Sequence, residues 1–160
     1  ENGEISANKF RQIIRINASP IKDGQKRVIK DSQIDYSLNR FLCDIPQDKI
    51  ETLLFFKGEY RMFLLSNTNP IGMAKEIEEL FETLFLSYKM KCGKPGEKIF
   101  NDMAKKAKID PRESLFIDDS PANIETANRL GYHTILFRPK EDDLYQVVTR
   151  KLSELEESGI

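Results

Sequence analysis

At 160 residues, with 39% hydrophobic and 32% charged side chains, the chain suits one domain, or one core with a small appendage, and can bury a real core. Its apolar runs fall far short of the ~20 residues that span a bilayer, and a net charge of -1 without a basic, aromatic-interleaved stripe argues against nucleic acid as the main partner. Cys43 and Cys92 stand far apart, form no Cys-x-x-Cys pair and accompany no apolar signal segment, so a reduced, cytoplasmic setting is expected.

In chain order, Phe10, Ile13 and Ile14 recur at helical spacing. The polar stretch from Pro20 to Lys30, with Asp23-Gly24 as a turn signal, predicts a link between two helices. Ser32-Gln33-Ile34-Asp35 resembles a capping box opening another helix, and Ile50, Leu53 and Leu54 return to helical spacing. No strand is predicted before residue 60.

From Arg61 onward, short apolar runs alternate with helical patterns, the pattern of an α/β fold in which helices wrap a parallel sheet. Strands are predicted at Met62 to Leu65, Leu84 to Tyr88, Leu115 to Ile117 and Thr134 to Phe137. Helices are predicted near Gly72 to Phe81, Glu97 to Ala107, Ala122 to Leu130 and Asp142 to Leu155. Gly131 follows Leu130 as a helix-ending glycine should. Pro70, Pro95 and Pro121 are expected at first helical positions, so the polar residues before them face one edge of the sheet. His133 reads as a surface or loop residue, and Lys105, Lys106 and Lys108 as a solvated helix face.

Chemistry concentrates at that edge. Asp118 and Asp119 end an apolar strand just where a helix begins, a place where open α/β sheets bind ligands, and adjacent acids there suit a hard cation such as Mg²⁺. Helix capping explains one acid but hardly two. Because neighbouring residues at a strand end diverge, one carboxylate can reach the metal while the other acts through water or from outside the coordination sphere. Asn123, in the first turn of the helix, can reach back toward them; its plain alternative is a surface asparagine. Ser66 ends another strand, where its hydroxyl and a neighbouring backbone N–H could serve phosphoryl oxygens, or simply form a turn. Lys94, between Gly93 and Pro95, is either a solvent lysine or a cation set near the acids to counter a phosphate's charge.

Together these residues resemble the haloacid dehalogenase-like (HAD) hydrolase superfamily. Its second motif, a strand ending in Ser or Thr, matches Leu64-Leu65-Ser66-Asn67; its third, a lysine, matches Lys94; its fourth, an acidic pair with Asp or Asn four positions on, matches Asp118, Asp119 and Asn123. The match runs over roughly residues 47 to 138. Gly3-Glu4-Ile5-Ser6, Leu65-Ser66-Asn67-Thr68-Asn69, Leu86-Ser87-Tyr88 and Asn123-Ile124-Glu125-Thr126-Ala127-Asn128 resemble the branch of sugar-phosphate phosphatases that includes α-D-glucose-1-phosphate phosphatase. The resemblance implies a Rossmannoid core over residues 46–160 and a partial helical cap over residues 1–45. It also implies a Mg²⁺-dependent phosphatase acting on a small phosphorylated metabolite through an aspartyl-phosphate intermediate. Ser66, Asn67 through its backbone, and Lys94 would bind phosphate. Asp119 would ligate the metal directly, Asp118 through water or in the second shell, and Asn123 would support them.

The family's first motif, Asp-x-Asp at the end of a strand, supplies the nucleophile and the general acid and base, and these residues contain no such motif. In the family that strand lies centrally, between those ending here at Ser66 and Asp118. Its loss leaves a slot about 10 Å wide and on the order of ten unmet ladder groups, at ~1 to 3 kcal/mol each when buried. The residues are therefore expected to belong to a longer polypeptide and to show no turnover alone. Rival readings are a haloacid dehalogenase, which needs no metal; a response-regulator-like receiver, whose acids come first and lysine last; and a non-catalytic binding module of the same fold.

Overall fold

The computed structural model describes residues 21–22, 25–26, 30, 32, 46–68 and 78–159. Four strands in two parallel pairs carry the architecture. In the first, β3 (Phe63–Ser66) lies beside β4 (Thr83–Leu86), with Phe63 opposite Thr83 and Ser66 opposite Leu86. In the second, β5 (Leu115–Asp118) lies beside β6 (His133–Leu136), with Leu115 opposite His133 and Asp118 opposite Leu136. Among the described residues the two pairs share no ladder, so the sheet is interrupted between them. One apolar cluster nevertheless joins them, containing Leu65 and Phe85 from the first pair and Phe116 from the second.

The helix that joins them is α3 (Glu97–Ala107), preceded by α1 (Gln47–Lys57) and the short α2 (Ser87–Met90). Ile99, Phe100, Met103 and Ala107 return to one face of α3 and are all buried, with Phe100 edge-on to Phe116 at 5.2 Å between ring centroids. Lys105, Lys106 and Lys108 are exposed, as the solvated-face reading requires. A 3₁₀ turn (Pro111–Glu113) leads into β5, and α4 (Pro121–Arg129) follows it. Pro121 stands at the first helical position, and Gly131 ends the helix with φ +91°, a conformation that costs glycine no Cβ clash. The last helix, α5 (Leu144–Glu157), opens on Asp143, whose side chain accepts from Gln146 N. Tyr145 of α5 stacks on Phe56 of α1 and meets Phe55 edge-on. Among the described residues no helix is long and apolar enough to cross a membrane.

Several local expectations change. Two short strands do precede residue 60: β1 (Ile21–Lys22) and β2 (Gln25–Lys26) pair antiparallel across positions 23 and 24. Both lie within the polar stretch read as a link between two helices, so that stretch contains strand. The predicted strand Leu84 to Tyr88 ends at Leu86, and Ser87 and Tyr88 open α2. Pro95 is not at a first helical position: it follows a cis Lys94–Pro95 bond, and Gly96 caps the helix that starts at Glu97. His133 belongs to a strand, half-buried, with Nε2 2.8 Å from Arg112 O. On α1 the buried positions are Thr52 and Phe56, while Leu54 is exposed. The helical patterns at Phe10 to Ile14 and after Ser32, most of Gly72 to Phe81, and Pro70 and Cys43 lie outside the described residues.

Candidate active site

Ser66, Asn67, Lys94, Asp118, Asp119 and Asn123 are the residues in which the sequence concentrates chemistry, and four of them form one continuous chain of contacts. Ser66 is the last residue of β3 and Asn67 starts the loop beyond it. Asn67 Nδ2 donates to Lys94 O at 2.8 Å, and Lys94 N donates to Asn67 Oδ1 at 2.9 Å. From there the Lys94 ammonium crosses to the second strand pair, where Nζ lies 2.6 Å from Asp118 Oδ2. Asp118 closes β5, and its other oxygen, Oδ1, accepts from Ser120 N at 2.9 Å and from Asn123 Nδ2 at 2.8 Å. Ends of both parallel pairs and the first turn of α4 are thereby tied together.

Burial makes the ion pair consequential. The side chains of Lys94 and Asp118 are 11% and 7% exposed, and Nζ also lies 5.7 Å from the Phe116 ring centroid. In such surroundings a charge needs its partner and further hydrogen bonds, and Asp118 has three. Tyr132, packed on Phe116 and Phe100, backs this strand; burial pushes its hydroxyl up to about 12, so it stays neutral.

Asp119 diverges from Asp118, as neighbouring strand-end residues should. It is exposed, and its carboxylate has no hydrogen bond or ion pair among the described residues. Of the two acids, it is the one open to a cation. Among the described residues no group of three or more His, Cys, Asp or Glu gathers. A carboxylate is a hard oxygen donor of the kind Mg²⁺ takes one or two of while keeping several waters. Asn123 does reach back to the site, but its amide goes to Asp118. The Ser66 hydroxyl has no hydrogen bond among the described residues and remains available to a ligand.

The sequence reading missed Ser87 as part of this construction. Its Oγ accepts from Thr68 N at 3.1 Å and donates to Thr68 O at 3.2 Å, and the residue is fully buried. The signal was a small polar residue directly after an apolar strand. Asn67 was expected to act through its backbone, and its side-chain bonds to Lys94 were not foreseen.

The haloacid dehalogenase-like hydrolase model matches residues 7–131. D-ribitol-5-phosphate phosphatase of Bacteroides thetaiotaomicron is 29% identical over 151 residues, which cover 88% of this chain and 69% of the relative. A HAD family enzyme from the same organism, crystallised with magnesium and inorganic phosphate, superposes with a TM-score of 0.76 at 35% identity, covering 91% of this chain and 75% of that one. A predicted HAD-like family hydrolase from Porphyromonas gingivalis superposes with a TM-score of 0.78 at 32% identity, covering 95% and 76%. With the motif order, the strand-end chemistry and the family model in agreement over most of its length, the chain belongs to the haloacid dehalogenase-like hydrolases.

Proposed function

We propose that the protein is a Mg²⁺-dependent phosphatase, hydrolysing the phosphomonoester of a small sugar-phosphate or sugar-alcohol-phosphate metabolite in a cytoplasmic setting. The observation that carries this reading is the setting of Lys94. Its ammonium is buried against Asp118, and its backbone is fastened to the residue that follows Ser66. A hydroxyl donor and a fixed cation at one sheet edge suit the charged oxygens of a phosphoryl group. The relatives support this substrate class: one is named for ribitol 5-phosphate, and another was crystallised with magnesium and phosphate.

In this reading the Ser66 hydroxyl and the Asn67 backbone N–H donate to phosphoryl oxygens, and Lys94 offsets charge between phosphate and nucleophile. Asp119 ligates Mg²⁺ directly. Asp118 acts through water or in the second shell, because Lys94, Ser120 N and Asn123 already engage both its oxygens. Asn123 supports the site by holding Asp118. When bound, the ion neutralises and orients the phosphate.

In this reading the attacking carboxylate belongs to a strand outside the described residues, and the two parallel pairs, which share no ladder among the described residues, leave a place for it. Its attack on phosphorus expels the alcohol and forms an aspartyl phosphate; water then cleaves that acyl phosphate and restores the carboxylate. Residues 1–45 serve as the cap that closes the site against bulk water and selects the substrate.

The test is a panel of sugar and sugar-alcohol phosphates offered to the full-length protein with and without Mg²⁺. Phosphate release should require Mg²⁺ and fall ~100-fold or more in Ser66→Ala, the loss typical of a single transition-state donor. Release that survives chelation, or that Ser66→Ala leaves intact, would sink the reading.

A further inference from the structure

We infer that the Asn67 side chain is a positioning residue that sets the Lys94 ammonium in place by gripping the Lys94 main chain. Its amide binds both polar groups of one residue, donating to Lys94 O at 2.8 Å and accepting from Lys94 N at 2.9 Å. Two bonds to one residue fix its rotation as well as its position, as a neighbouring strand does in a ladder, and here a single side chain makes both. Lys94 otherwise sits in irregular chain between α2 and α3, where Gly96 N turns back to Gly93 O.

The gripping residue is itself anchored. Immediately after Asn67, both backbone groups of Thr68 are bonded to the fully buried Ser87 hydroxyl. A held loop therefore presents Asn67, Asn67 holds Lys94, and Lys94 reaches Asp118 on the other strand pair. Asn67 is exposed, so it adds nothing apolar to the core and its replacement opens no cavity there. Only asparagine has this pair of groups at this length: aspartate lacks the donor, glutamine adds a methylene, and alanine has neither. The side chain of Asn67 thus serves phosphate through Lys94. That consequence rests on the phosphatase reading, whereas the grip on Lys94 does not.

Two measurements on the full-length protein decide it. Without substrate, nitrogen NMR of the lysine ammonium groups should show a slowly exchanging Lys94 signal, assigned by its absence in Lys94→Met. Asn67→Ala should broaden or erase that signal and speed Lys94 amide exchange about tenfold. Asn67→Asp, which keeps the acceptor for Lys94 N, should restore part of the amide protection. An unchanged ammonium signal and amide exchange in Asn67→Ala overturn the proposal.

With Mg²⁺ and inorganic phosphate, Asn67→Ala should weaken phosphate binding about tenfold in the wild-type background and about twofold or less when Lys94→Met is already present. Equal losses in both backgrounds also overturn it, since Asn67 would then act independently of Lys94. If the wild-type protein binds no phosphate, the phosphatase reading fails while the NMR result still decides the grip.

Discussion

Lys94→Met removes the ammonium while keeping an unbranched stem, and it leaves Asp118 charged in a site where that side chain is 7% exposed. Both surviving hydrogen bonds, from Ser120 N and Asn123 Nδ2, fall on Oδ1, so Oδ2 loses its 2.6 Å partner and gains none. Breaking a buried ion pair by removing one partner costs about 3–5 kcal/mol. The two remaining bonds bring the expected cost to about 2–3 kcal/mol, which at this chain length is roughly 4–12 °C in Tm. Urea unfolding and calorimetry in the presence of a chelator would measure it. Adding Asp118→Asn to Lys94→Met removes the stranded charge and should recover about half the loss or more. Adding Asp119→Asn should recover nothing, because Asp119 is exposed and does not pair with Lys94. A loss under about 1 kcal/mol, or equal recovery by the two asparagine substitutions, would refute the reasoning.

Asp119→Asn should change stability by less than about 0.5 kcal/mol, as exposed substitutions do, yet abolish the rise in Tm on adding Mg²⁺; a wild-type Mg²⁺ response would rule out Asp119 as the direct ligand. Ser87→Ala should cost about 1–3 kcal/mol in urea unfolding, because it strands the buried backbone groups of Thr68. Thr68→Val should be near neutral or stabilising by the same assay, since Thr68 Oγ1 is buried with no partner among the described residues. Tyr132 is raised from 10.0 to about 12 by burial, so its contribution is fully present below pH 10 and is lost as pH rises through about 12. Tyr132→Phe, which retains the packing on Phe100 and Phe116, should flatten stability across that window; an identical alkaline decline in both proteins would show that Tyr132 is not its source.

The elements most legible in the sequence were those whose burial has one period. Ile99, Phe100, Met103 and Ala107 gave α3 its full extent, and each apolar run of the parallel pairs lay within a residue or two of its strand. Where one residue's job is tertiary, the pattern misled. Ser87 and Tyr88 continue an apolar run, but Ser87 turns inward to hold Thr68 and the chain begins a helix there. A local rule put Pro95 at the first helical position, but Gly96 is the cap and the helix starts at Glu97. The paired strands Ile21–Lys22 and Gln25–Lys26 have two residues each, too short to show a period.

The site follows the same division. Ser66, Lys94 and the two acids stood out as candidates because reactive residue types stood at strand ends and beside a rigid turn. The split between Asp118 and Asp119 followed from alternation along a strand. The bond between Asn67 and Lys94 was not legible, because it joins positions 27 residues apart and depends on how two loops meet.

The most direct measurement is a crystal structure of the full-length protein with Mg²⁺ and inorganic phosphate. Phosphate should be held by Ser66 and Lys94, with the ion coordinated by Asp119 and the Lys94–Asp118 pair intact. An ion on Asp118 with that pair broken, or phosphate bound away from Ser66 and Lys94, would contradict it.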